Sequence, residues 1–372
     1  MAIEGETDHG AVENREAGMK MRVVNVAYPF ALIRPDTAGG AEQVLLQLDR
    51  ALTEKGHTSI VVAPQGSQVD GIHIQIPQFD SVDELSRIRA HRCLLHTVDR
   101  VVSTHGADLI HYHGIDFHRY LSKSSTAALV TLHLPLSWYP ASAFSCTRPA
   151  TFFNCVSEHQ YRDAPMLPEY NTFCIPNGVE VPCRYRELKR GRYAVAMGRI
   201  CPEKNFHEAF LAAQEAGIAL VLAGSVFRYR EHLKYFSEKI VPLLHNFRHK
   251  FVGQVDFKAK QKLLSRAQCC LITSRAPETS SLVAMEALAA GTPVIAYPSG
   301  ALAEIVEDGV TGFLVNDYKE MTHTVKNVTK IDKSVCYSRA LQRFSNRTMT
   351  QSYLQLYRSI LEKAKGLRVG LP

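Results

Sequence analysis

The chain lacks any long hydrophobic run. None of its apolar stretches approaches the roughly eighteen residues needed to cross a bilayer, so no membrane-spanning helix is expected. The first twenty residues are acidic and polar and carry no apolar core of the kind a secretory signal needs. Residues 1–20 therefore read as a disordered leader, with the fold starting near Met21 and the protein remaining in the cytosol. Cysteine is also sparse. Nine cysteines in 372 residues cannot all pair internally and are too few for a disulfide scaffold. None stands two residues from another, and the adjacent Cys269 and Cys270 fall in an apolar run, so reduced, mostly buried thiols are expected. Zinc-finger spacing and aromatic-basic RNA motifs are absent, which argues against a nucleic-acid partner, and no Asp-x-Asp pair occurs.

What is present is an ordinary water-compatible composition, with 46% hydrophobic and 21% charged residues. The length suggests about two or three domains. A net charge of +7 is modest for this length and suits nucleic acid, an anionic membrane or a phosphate-bearing small molecule. Short apolar runs alternate with amphipathic stretches, the pattern of parallel sheets covered by helices on both faces. The first half reads as strand RVVNVA, a loop through Ala38, Gly39 and Gly40, a helix carrying Val44, Leu45, Leu48, Ala51 and Leu52, strand SIVVAP, and a long helix from about Ser81 to Ser103. DLIHYH, ALVTLH, CVSEHQ and FCIPNGVE complete it. Residues 182–192 are polar, basic and punctuated by Pro and Gly, as an interdomain linker is. YAVAMG, IALVLAG, RHKFVG, CCLITS, TPVIAY and GFLV then alternate with helices beginning near Glu203, Tyr229, Lys258 and Ser281. The expected organisation is a first α/β domain over residues 21–181, a second over 182–346, and a final helix, about 347–372, that crosses back onto the first. Ligands of such sheets bind at the carboxyl ends of strands, in the crevice between domains.

Two segments carry candidate chemistry. The first runs from Pro277 through Glu278, Ser280, Ser281, Leu282 and Glu286 to Gly291-Thr292-Pro293. A helix that starts near Ser280 offers free amides and a positive dipole end to a diphosphate, and a carboxylate can accept two vicinal hydroxyls of a ribose or hexose. Two glutamates on a helix are, taken alone, more often solvated charges. The second segment, Met197 to Asn205, places Arg199 and Lys204 around a strand-to-helix turn. Arg can fork two phosphate oxygens and Lys supplies a mobile point charge, so the pair can stabilise a departing diphosphate without a metal. A pair of surface charges capping a turn explains the spacing equally well.

The Arg199 and Glu278 segments resemble the signatures of glycosyltransferase family 4, retaining enzymes of the GT-B fold. In order along the chain, Gly39-Gly40 with Glu42, ADLIHYHG, VTLHLP, CVSEHQ, IPNGVE, the stretch from Tyr297 to Glu304, and GVTGFLV extend the resemblance over residues 21–357. It implies two Rossmann-like α/β/α domains facing a central cleft. It also implies that Arg199 and Lys204 hold the donor diphosphate, that Glu286 accepts the nucleotide ribose, and that Glu278 lies against the transferred sugar. Gly39 and Gly40 would let backbone approach the phosphates, Ser280, Ser281 and Leu282 would line the donor, and His133 matches the family's active-site histidine. Members commonly carry Phe-Gly where Ser280 and Ser281 stand here, which leaves the donor sugar open. The metal-clamped donor site of the other main glycosyltransferase fold uses Asp-x-Asp and has no candidate, so neither a metal nor another cofactor is expected.

His111 and His113 have the spacing of metal ligands, but they end a predicted strand and the structural reading is preferred. His113, Trp138 and Tyr139 are acceptor candidates; Trp138 could stack on a sugar ring or simply anchor a packed loop. The expected activity is hexosyl transfer from a nucleotide diphosphate sugar, with UDP as the default base, to an acceptor that is a sugar, small molecule or glycolipid. The alternatives are an epimerase or hydrolase of nucleotide sugars on the same architecture, or a non-catalytic nucleotide-sugar-binding protein. A dehydrogenase is disfavoured because the Gly39-Gly40 loop lacks Gly-x-Gly-x-x-Gly. The basic stretches 184–192 and 228–250 leave weak peripheral contact with an anionic membrane open, although solvated helix faces explain them better.

Overall fold

The computed structural model describes residues 20–369, except 38, 80, 146, 147, 149, 186, 187, 190, 246 and 247. The leader at residues 1–19 and part of the linker lie outside the described residues. Two parallel sheets organise the chain. The first contains β1 (Arg22–Val26), β2 (Thr58–Pro64), β3 (Ile72–Ile76), β4 (Leu109–Tyr112), β5 (Ala127–Leu132), β6 (Thr151–Cys155) and β7 (Thr172–Cys174), in the order β3-β2-β1-β4-β5-β6-β7. Its helices are α1 (Gly40–Glu54), α2 (Glu84–His105) and the short α3 (Glu158–Arg162).

The second sheet contains β8 (Tyr193–Met197), β9 (Ala219–Ala223), β10 (Lys250–Phe251), β11 (Cys269–Ile272), β12 (Val294–Ala296) and β13 (Gly312–Leu314), in the order β10-β9-β8-β11-β12-β13. Around it lie α4 (Phe206–Glu215), α5 (Arg230–Tyr235), α6 (Val241–Leu244), α7 (Phe257–Arg266), α8 (Leu282–Ala289), α9 (Leu302–Ile305), α10 (Tyr318–Asn327) and α11 (Lys333–Arg343). Both sheets are doubly wound, and strand order reverses between β1 and β4 in one and between β8 and β11 in the other. Such reversal points open the crevices in which α/β sheets bind ligands.

Burial on both faces explains the near-continuous apolar character of the central strands. β5 and β6 are buried at every position, whereas edge strand β3 is largely uncovered and its IHIQI sequence alternates apolar and polar residues. The helix expected from Glu203 begins later. A 3-10 turn at Pro202–Lys204 comes first, Asn205 takes a left-handed conformation at φ 54°, and α4 starts at Phe206.

The last helix, α12 (Asn346–Val369), returns to the first sheet. Met349, Tyr353, Leu356, Tyr357, Ile360 and Ala364 form its apolar stripe and pack with Met21, Val23, Leu48, Leu109, Leu129 and Phe152. The outgoing and returning chains meet where Val179 N donates to Phe344 O (2.7 Å) and Asn346 N donates to Val179 O (2.9 Å). No described helix is long and apolar enough to cross a membrane.

Candidate functional site

One cleft of about 1830 Å³ lies between the two sheets and is lined from both. On the second sheet, the turn after β8 delivers Arg199 and Lys204, and the loop after β11 delivers Glu278, so the two strands at the reversal point supply both charge types. Thr273 holds the turn in place: its hydroxyl donates to the carbonyls of Lys204 and Asn205, each at 2.9 Å. Lys204 Nζ donates to Glu278 Oε1 at 2.5 Å, and the Ser274 hydroxyl donates to the same oxygen. Arg199 has no ion-pair partner among the described residues and stays free to meet an anion. Gly300, at φ +60°, lets its loop lie against Glu278: Ala301 N donates to Glu278 O at 2.8 Å, and a Cβ at Gly300 would overlap that backbone.

Ser280, Ser281, Leu282 and Glu286 line the same wall, with α8 beginning at Leu282 rather than Ser280. The Ser280 hydroxyl is buried and has no protein partner. Glu286 is 6% exposed and pairs with Lys260 Nζ of α7. Burial raises the Glu286 carboxyl pKa, and the Lys260 charge opposes that rise. Lys260 was not among the sequence candidates, because on an amphipathic helix it looks like any solvated lysine.

On the first sheet, Gly39 and Gly40 form the opposite lip. A Cβ at Gly39 would collide with the Glu42 carboxylate, and one at Gly40 would come within 3.3 Å of Leu282 across the cleft. The glycines thus admit the folded-back Glu42 side chain and a close approach of the two domains. Glu42 is buried, and desolvation raises its pKa. His133 follows β5 on the cleft wall, and its Nε2 is 3.1 Å from His113 Nδ1. Burial pushes the His133 pKa down to about 3 and lowers that of His113 as well, so both rings are neutral at ordinary pH.

Two acceptor candidates are buried and do not line the cleft. His113 is 3% exposed and sits beside His133, its Nδ1 at hydrogen-bond distance from that ring. Tyr139 is buried too, packed among Phe117 and Phe144, because the 3-10 turn at Leu136–Trp138 directs it inward. Trp138, from the same turn, is 46% exposed and lines the cleft. His111 does structural work: its ring bonds Thr131 Oγ1 at 2.7 Å and Tyr357 OH at 2.8 Å, tying α12 to the sheet. Among the described residues His111 and His113, even with His133 beside them, do not form a group of three with ligand atoms all close enough for one ion; the one such group is Cys201, Glu203 and His232.

A contact between domains was also missed from sequence. Glu304, on α9, accepts from the backbone amides of Glu158 (3.1 Å) and His159 (3.0 Å) at the start of α3. No local spacing could reveal it, because the partners are 146 and 145 residues away.

Comparison with known proteins adds the family. Residues 38–181 match Glycosyltransferase Family 4, and residues 184–346 match Glycosyl transferases group 1. The chain belongs to this family. Its two parallel-sheet domains have the GT-B fold of the family. An Anabaena protein, HepE, solved with UDP and glucose, superposes at a TM-score of 0.73 over 91% of this chain and 100% of that one, with 19% identity. The phosphatidyl-myo-inositol mannosyltransferase of Mycolicibacterium smegmatis is 24% identical over 312 residues, 75% of this chain and 78% of that one. An uncharacterized 41.2 kDa protein of the Klebsiella pneumoniae cps region is 34% identical over 115 residues, 29% of this chain. That match spans only 32% of the Klebsiella protein's length.

Proposed function

We propose that this family member transfers a hexosyl group from a UDP-sugar to an acceptor with retention of anomeric configuration. The reading is carried by one juxtaposition: Arg199, Lys204, Glu278 and Glu286 line a single wall of the cleft, facing His133 and the Gly39-Gly40 lip. Arg199 and Lys204 hold the diphosphate, and an arriving phosphate competes with Glu278 for the Lys204 ammonium. Glu286, held by Lys260, accepts the ribose hydroxyls, while Glu278 faces the sugar. UDP is favoured because HepE, of the same fold, was solved with UDP and glucose. The acceptor enters from the first-domain side, where Trp138 offers an exposed ring face.

Retention follows from what each group can do. An inverting enzyme needs a base behind the sugar within hydrogen-bond reach of the acceptor. Burial holds His133 neutral with a pKa of about 3, which makes it a weak base, and Glu278 is engaged with Lys204 and Ser274. Two cations favour early departure of the diphosphate, whose oxygen then takes the acceptor proton while attack comes from the same face. They also serve the charge role that a divalent ion fills elsewhere, so turnover requires no added magnesium or manganese. Proton NMR of the first-formed product from an α-linked UDP-sugar should show an α-glycoside. A β-glycoside overturns the retaining reading, and UDP-sugar consumption independent of any acceptor would favour a hydrolase.

A further inference from the structure

We propose that Cys201, Glu203 and His232 form a binding site for a zinc-type divalent cation, behind the turn that carries Arg199 and Lys204. One potential ligand atom from each residue lies within 4.8 Å of the other two. A thiolate, an imidazole and a carboxylate are the donor set that zinc accepts, with three protein ligands leaving a fourth position for water.

The residues come from separate elements that the fold brings together. Cys201 precedes the 3-10 turn at Pro202–Lys204, Glu203 lies within it, and His232 is on α5. Cys201 is fully buried, and His232 is 8% exposed with its Nδ1 buried and without a hydrogen-bond partner. A buried ring nitrogen left unpaired is costly, and a metal bond, with the other ring nitrogen as an alternative ligand, relieves that cost. Phe227 stacks against the His232 ring at 6.4 Å and Tyr229 meets it edge-on at 5.1 Å, which walls it on α5.

The local charges are mixed: the Arg199 cation lies close enough to act on all three groups and opposes a dication, while Glu231 adds a negative charge beside His232. Coordination would release the Cys201 thiol proton to solvent, and the sulfur lone pair would form the metal bond. Thiolate and carboxylate together then match the two positive charges of the ion. Only Glu203 of the three lines the cleft, so the ion would clamp α5 to the phosphate-binding turn without touching the reacting atoms.

Cobalt(II) added to the full chain, stripped of metal and carrying Cys183→Ser to remove an exposed thiol, reads the site directly. The expected result is one equivalent bound with a thiolate-to-cobalt charge-transfer band, displaced by zinc(II). Cys201→Ser should abolish the band. His232→Gln should keep the band but weaken cobalt binding by at least the roughly tenfold that even outer partners of a metal contribute. Zinc(II) should raise Tm of the parent, raise that of His232→Gln less, and leave that of Cys201→Ser unchanged. Absence of the band in the parent, its persistence in Cys201→Ser, or unchanged cobalt affinity in His232→Gln would overturn the proposal. Circular dichroism of the metal-free variants separates ligand loss from misfolding.

Discussion

The two sheets share one winding pattern but build their halves of the cleft differently. On the second sheet, charge sits within a few residues of the strand ends at the reversal point: Arg199 and Lys204 after β8, Glu278 after β11. On the first sheet, the equivalent loops bring Gly39 and Gly40 together with charges of both signs, Asp36, Asp116 and Arg119, and the layer behind them is a hydrogen-bonded core of His111, Thr131, Asn154, Tyr353 and Tyr357. One side is thus arranged to meet anions through local motifs. The other is arranged to hold a surface through long-range packing, and variable loops then decide what that surface takes.

This contrast can be broken experimentally. The largest effect is expected at Tyr139→Ala, which empties a core position and should lower stability by about 3–5 kcal/mol in denaturant titration. Trp138→Ala, one residue away, should leave the midpoint in place and raise the acceptor KM. Equal stability loss at both positions would mean that the two rings do not divide between core and cleft. Next, Arg199→Ala should cut turnover at saturating donor about 10²–10³-fold, because charge on the departing phosphate grows in the transition state. Unchanged turnover would remove Arg199 from the leaving-group site.

Glu286→Gln should weaken UDP binding by about 1–3 kcal/mol in calorimetry, since a charged acceptor for ribose is lost. Equal affinity for parent and variant would place the ribose elsewhere. A further prediction concerns pH. The His133 pKa is pushed from 6.5 down to about 3 by burial. Between those values the unfolded chain binds a proton that the folded chain refuses, so stability is fully present above pH 6.5 and declines as pH falls toward 3. His133→Asn should flatten that part of the Tm–pH curve. An unaltered slope would show that His133 is not held neutral.

The parts legible in the sequence were those with short-range causes. Strand positions follow from apolar runs, α1 from its Val44, Leu45, Leu48 and Leu52 stripe, and the charged side of the cleft from motifs read within single segments. What escaped depends on partners far along the chain. Lys260 becomes informative only beside Glu286, Glu304 only beside the α3 amides, and Cys201 with Glu203 only once α5 brings His232 to them. The misplacement of Tyr139 has a local cause of another kind, a tight turn that sends adjacent rings in opposite directions.

The domains are joined twice, and the two connections are not independent. Val179 is hydrogen-bonded on both sides to the returning segment at Phe344 and Asn346, so the outgoing and incoming chains form a double strap. A single linker would allow the halves to swivel and present any face to one another. A double strap resists torsion and leaves bending as the easy motion, with the Glu304 contact to α3 as a stop that can form and release. Were the halves to bend about this strap, the same wall of charge would return to the same glycine lip, with the register of the two half-sites kept.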